Sequence, residues 1–213
     1  DAVAPTNPGE YYLSILEELD DLLPPGGSIA ERFGWFQSGY VIPPDRLDAV
    51  FTRAIEECRE RTLRQVELPD GENFVLEYVT DQSWGGYNWY QGEYQSLIQV
   101  NVDFPSSIDR AVDLACHEGY PGHHTYNALL EQNLVNDRGW PEFSVYALFS
   151  PQSLIAEGSA NFGIEMAFPG DERLAFGRDV LFPLAGLDPA TAESYYRVQK
   201  LMARMNYAGN EAA

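Results

Sequence analysis

Cysteine, histidine and lysine are all scarce in this chain, and each scarcity narrows what it can be. The two cysteines, Cys58 and Cys116, are too few for a disulfide framework. Both fall in helical patterns and read as buried free thiols. Lysine occurs once, at Lys200, and 13 basic residues stand against 33 acidic ones, a formal charge of −20. A chain this acidic repels nucleic acid and anionic membranes, so neither is expected as a partner. Acidic composition with almost no lysine suits work in high salt, and a codon bias toward arginine gives the same look. No apolar run approaches the roughly 18 residues of a membrane span. Internal repeats and low-complexity segments are also missing. The chain opens at Asp1 with neither an initiating methionine nor a signal peptide, and it ends inside a helical pattern over 202–213. That suggests a processed or trimmed chain with a missing continuation, soluble, and either cytoplasmic or exported with its signal removed.

What is present is a globular composition, 45% hydrophobic and 13% aromatic, enough to bury a core. Apolar spacing predicts a helix over 8–23, closed by Pro24-Pro25-Gly26-Gly27. A short segment follows over 29–36, then a longer helix to about Gln65 with Leu47, Val50, Phe51, Ala54 and Ile55 on one face. From 66 to 104 the character turns to β: strands are expected at 74–79, 87–90 and 94–102, as a small antiparallel sheet. Ser106 with Asp109 resembles a capping box and opens a helix that buries Ile108, Ala111, Val112 and Ala115. Helical patterns continue over 123–135, from Phe143 to a break near Pro151, over 154–166, over 172–184 and from Asp188 onward. The expected fold is therefore α+β, mainly helical, with the small antiparallel sheet next to the metal-bearing helix. A helix-only bundle is the alternative, should 74–102 be irregular. Residues 1–65 read as a helical scaffold portion and 66–213 as the portion that carries chemistry, together one compact domain.

All three histidines lie in His117-Glu118-Gly119-Tyr120-Pro121-Gly122-His123-His124. Imidazoles beside a carboxylate are what a zinc ion needs: neutral nitrogen ligands and a base for an attacking water. The familiar zinc helix sets its second histidine at i+4, but here that position is Pro121. In a straight helix His124 lies about 20° from His117 yet roughly 10 Å along the axis, and His123 points about 120° away. Pro121-Gly122 interrupts a straight helix, and a kink or bulge there favours His123 as the ligand. His124 is the alternative, or a hydrogen-bonding neighbour of the site. The third ligand expected is Glu157, an acid within the small and apolar stretch Leu154-Ile155-Ala156-Glu157-Gly158-Ser159-Ala160-Asn161. Glu165 is about 80° off that face and reads as a partner behind the ligand or a plain surface acid.

These residues carry a resemblance. The run 117–124, followed by Glu157-Gly158-Ser159-Ala160, resembles the bacterial and archaeal family known as domain of unknown function 885, with its HExxPGHH and EGWA-like segments. Ser159 departs from the tryptophan common there. The resemblance covers about 66–213, the C-terminal half of a family of longer members. It implies a zincin-like, specifically gluzincin-like, metallopeptidase portion holding Zn2+ through His117, His123 and Glu157, with Glu118 as general base and a peptide or small amide as substrate. It also implies a substrate-pairing strand over 94–102 ending at Asn101, a substrate-binding position. An oxyanion donor besides the metal is expected, with Tyr207 as the candidate and Tyr120 as another. Two rivals stand beside this reading: a non-catalytic zinc-stabilised helical domain, and a cysteine hydrolase using Cys116 with His123 or His124.

Overall fold

The computed structural model describes residues 6–212 of the chain, and side chains over 6–209. Asp1 and the chain's last residue lie outside the described residues. Three helices come first: α1 (Gly9–Leu22), α2 (Ile29–Ser38) and α3 (Leu47–Thr62). The capping box of this protein belongs to α2. Ser28 Oγ accepts from the Glu31 amide at 3.3 Å, and the Glu31 carboxylate accepts from the Ser28 amide at 2.8 Å. Helix α3 follows its predicted face, burying Val50, Phe51, Ala54, Ile55 and Cys58.

The sheet comprises β1 (Asn73–Val79), β2 (Gly86–Gly92) and β3 (Gln95–Asn101), in the order β1-β3-β2. It is α+β as expected, but the sheet is mixed and not purely antiparallel. β2 and β3 form an antiparallel hairpin, whereas β1 runs parallel to β3 in a register from Asn73↔Gln95 to Val79↔Asn101. The connection from β1 reaches β2 at the far edge, and β3 returns to fill the gap between them. Burial agrees: Ser96, Ile98 and Val100 of the central strand are buried.

Helix α4 (Ile108–Leu114) widens into a π turn over Ala115–Gly119. Its N-cap is Ser107 and not Ser106, and there is no capping box. Ser107 Oγ instead donates to buried Asp109 at 2.6 Å. α5 (His123–Leu130) follows and ends in a second π turn over Glu131–Asn136. The helix expected from Phe143 is only a single 3₁₀ turn, Pro141–Ser144. Then come α6 (Pro151–Ala167), α7 (Glu172–Phe176), α8 (Phe182–Ala185) and α9 (Ala192–Ala212).

One core joins residues of α3, β3, α4, the π turn and α7–α9, so position 65 is not a packing boundary. A smaller cluster holds α1 against α9 through Ile15, Leu19, Leu23, Val198 and Leu201. The cysteines are not free thiols: Cys58 of α3 and Cys116 of the π turn form a disulfide across 58 residues, with both side chains fully buried. The chain's central motif is therefore bonded covalently to α3. No described helix is long and apolar enough to cross a membrane.

Candidate metal centre and its cavity

Three pieces of chain bring the site together. The π turn carries His117 and Glu118, and the wider winding is the bulge expected ahead of Pro121. The chain then turns through Pro121-Gly122, and His123 begins α5. Only glycine fits at 122: a Cβ there would lie 1.9 Å from the carbonyl oxygen of His117. Helix α6 packs against this corner with a stripe of small residues, Ala156, Ala160, Gly163 and Ala167. A Cβ on Gly163 would meet the Pro121 ring at 2.7 Å. This close approach sets Glu157 opposite the two histidines.

The resulting group is His117, His123 and Glu157, whose ligand atoms all lie within 4.8 Å of one another. His117 Nε2 is 3.2 Å from one Glu157 oxygen and His123 Nε2 is 3.3 Å from the other. Tetrahedral ligands on bonds of about 2.1 Å are separated by roughly 3.4 Å, close to the two histidine–glutamate spacings, so the group could hold a metal ion. Burial, and then the neighbouring His117, holds His123 below the usual imidazole range, with Glu157 opposing in part. Neutral imidazole is the form that ligates. His117 Nδ1 lies 3.2 Å from Asn161 Oδ1, which leaves Nε2 as the nitrogen available to a ligand. Asn161 was not singled out from the sequence, although its place one helical turn after Glu157 was a usable signal.

Glu118 is buried beside the triad. Burial, then the charge of Glu157, pushes its carboxyl up to about 7, with Arg110 opposing. A dication at the triad would offset the Glu157 contribution. Asn88 of β2 donates to the Glu118 carbonyl at 2.6 Å and ties the π turn to the sheet.

His117, Glu118, His123 and Glu157 face one cavity of about 690 Å³. Its walls include all of β2 from Gly86 to Gly92 together with Tyr146 and Leu148, and its lining residues include no lysine or arginine. The strand along the cavity is thus β2, at the sheet edge, and not β3, which lies between its neighbours.

Other expected site residues go elsewhere. His124 is fully buried on the core side, where it meets Glu72 and Ser96. Glu165 is exposed on α6 and does not line the cavity. Tyr207, half exposed on α9, is not among the cavity residues either. Tyr120 is buried with its hydroxyl on Glu72. The Asn101 amide is spent on the carbonyls of Gln82 and Trp84, at 2.9 and 3.1 Å, which shapes the loop before β2. The tyrosines that do reach the cavity are Tyr87, Tyr90 and Tyr146. Composition at those positions carried no distinguishing pattern, because the chain has 13 tyrosines.

Comparison with known protein families, curated proteins and solved structures finds no match to this chain.

Proposed function

We propose that this protein is a zinc-dependent hydrolase, specifically a metallopeptidase. One observation carries the reading: two imidazoles and a carboxylate converge at ligand spacing in an open cavity, with a second, buried carboxylate beside them. The resemblance to the domain of unknown function 885 family, resting on 117–124 and 157–160, points the same way. His117, His123 and Glu157 would hold the zinc, which would supply the Lewis acid for activating water and polarising a carbonyl.

Glu118 accepts the proton of the attacking water and passes it to the leaving amine. Its carboxylate lies at the cavity wall next to His117, where it takes that proton and returns it. Asn88 and the π turn keep Glu118 in place through its backbone. An extended peptide fits along the free edge of β2, which pairs with β3 on its other side only. The disulfide favours an oxidising compartment, and so the exported form of the two localisations considered.

The rivals fare less well. A nucleophilic Cys116 is excluded because its sulfur is bonded to Cys58. A closed structural zinc site needs a fourth ligand, and the group of metal-binding side chains among the described residues has three members.

Elemental analysis of the dialysed protein, followed by a peptide-library screen, tests the proposal. About one zinc per chain and measurable cleavage are expected. Glu118→Gln should keep the zinc and lose cleavage by at least about 100-fold. A Glu118→Gln protein that still cleaves at the normal rate sinks the mechanism.

A further inference from the structure

Behind the metal triad, on the core side of the same segment, lies a second cluster of polar side chains that the proposed chemistry does not use. Its centre is Glu72, in the turn ahead of β1, with its side chain only 2% exposed. One carboxylate oxygen accepts from Arg59 Nε at 2.9 Å and from its Nη2 at 2.6 Å. The other accepts from His124 Nε2 at 2.9 Å and from the Tyr120 hydroxyl. His124 Nδ1 lies 2.8 Å from Ser96 Oγ of β3. With Nε2 donating to the carboxylate, Nδ1 accepts from the serine, and the ring is held at both nitrogens. The Tyr120 and His124 rings also meet edge to face, with centroids 4.9 Å apart.

Tyr120 and His124 are the residues on either side of Pro121-Gly122-His123. A single carboxylate therefore grips both ends of the corner that presents His123. Successive helical residues point about 100° apart, so the direction in which His124 is held fixes where His123 points. If the segment turned about its axis, His123 would leave Glu157, and the neighbouring imidazole would not take its place without breaking three contacts in the core.

We propose that Glu72 is the positioning residue of the metal centre: by holding His124 and Tyr120 from behind, it sets His123 against His117 and Glu157. The assignment rests on the reading of the triad as a metal site. It concerns a residue 45 positions before His117, in an element that does not line the cavity.

Stabilising the core and positioning a ligand are separable, because the core holds a second buried carboxylate of similar surroundings. Glu57 of α3 accepts from Arg53 at 2.6 Å and from Arg61 at 2.8 Å, and these contacts do not involve 120–124. Glu57→Gln is the control for the loss of a buried, arginine-paired acid.

The experiment measures zinc affinity of the full chain by competition with a chromophoric chelator. The visible spectrum of the cobalt(II)-loaded protein and the melting temperature of the metal-free protein are recorded alongside. Glu72→Gln should weaken zinc binding by about tenfold or more and change the cobalt spectrum. Glu57→Gln should lower the melting temperature while leaving affinity and spectrum as in the parent. Should Glu72→Gln fail to fold, Tyr120→Phe removes one of the two grips at constant shape, and a smaller loss of affinity in the same direction is expected. Parent-like affinity and spectrum in the folded Glu72 variant, or in Tyr120→Phe if that is the one that folds, overturn the positioning role alone. A parent protein that takes up neither metal overturns the metal-centre reading and this assignment with it.

Discussion

His123 and His124 are neighbours in sequence, and each faces a carboxylate, yet the two sides of the segment differ in how charge is balanced. On the core side Glu72 accepts from Arg59, His124 and Tyr120, so a guanidinium neutralises it and the hydrogen bonds saturate it. Burial alone would raise its carboxyl, but the bonds from His124, Tyr120 and Arg59, with the Arg59 charge, outweigh that and hold it below the usual range. On the cavity side Glu157 meets two imidazoles and is half exposed, and no lysine or arginine lines the walls. The same pair of residue types is thus a closed structural unit on one face and an open one on the other. What the lining of the open side lacks is a lysine or arginine beside Glu157, and a dication at the proposed site would supply that charge.

Replacing the two histidines separately is the strongest way to break this comparison. His123→Ala should reduce bound zinc from about one per chain to almost none with little change in the melting of the metal-free protein. His124→Ala should still reach about one zinc at saturating metal but lose about 1–3 kcal/mol of stability, because Glu72 is left buried with a donor missing. Identical metal contents for the two variants would end the distinction between the faces.

The disulfide tests how far the core side supports the other. Cys58→Ala opens a link that spans 58 residues. A loop of that size corresponds to a loss of about 4 kcal/mol, read by denaturant unfolding. A midpoint unchanged from the parent would show that Cys116 needs no tether.

Gly163→Ala probes the contact that sets Glu157. The added methyl meets Pro121 at 2.7 Å. Overpacking of this kind costs about 1–3 kcal/mol, and α6 should be displaced, so zinc binding weakens along with stability. Unaltered zinc affinity would mean that α6 is not held in place at this point.

The smallest effect is expected on the outward face of α6, where Leu154 is 78% exposed. Leu154→Ser should change stability by no more than about 0.5 kcal/mol in the same unfolding assay. A larger loss would mean that this face is covered in solution.

Legibility in the sequence followed the range of the forces involved. The face of α3, the hairpin of β2 and β3, and the bulge before Pro121 all depend on residues close in sequence, and they were readable. Glu157 was singled out as a carboxylate in a small, apolar stretch, and it does come to lie against His117 and His123, but as a half-exposed group and not through the burial that the stretch suggested. Glu72 was not, since an acid following Asp70-Gly71 reads as a solvated turn residue. Nor was the parallel pairing of β1 with β3: strand composition predicts strands, but their order depends on which edge the core leaves open. The cysteine pairing escaped for a similar reason, because two cysteines on apolar helix faces look the same whether apart or bonded.

The sequence by itself determined that the three histidines gather in 117–124 and that a bulge carries the first of them. A proline and a glycine among three histidines leave the backbone few other courses. Only the tertiary structure decided which histidine faces the cavity, which strand borders it and where the cysteines meet. The first and the last depend on partners 52 and 58 residues away, Glu72 for His124 and Cys58 for Cys116, and the second on strand order. Local propensity carries no information about such encounters until the core has formed around them.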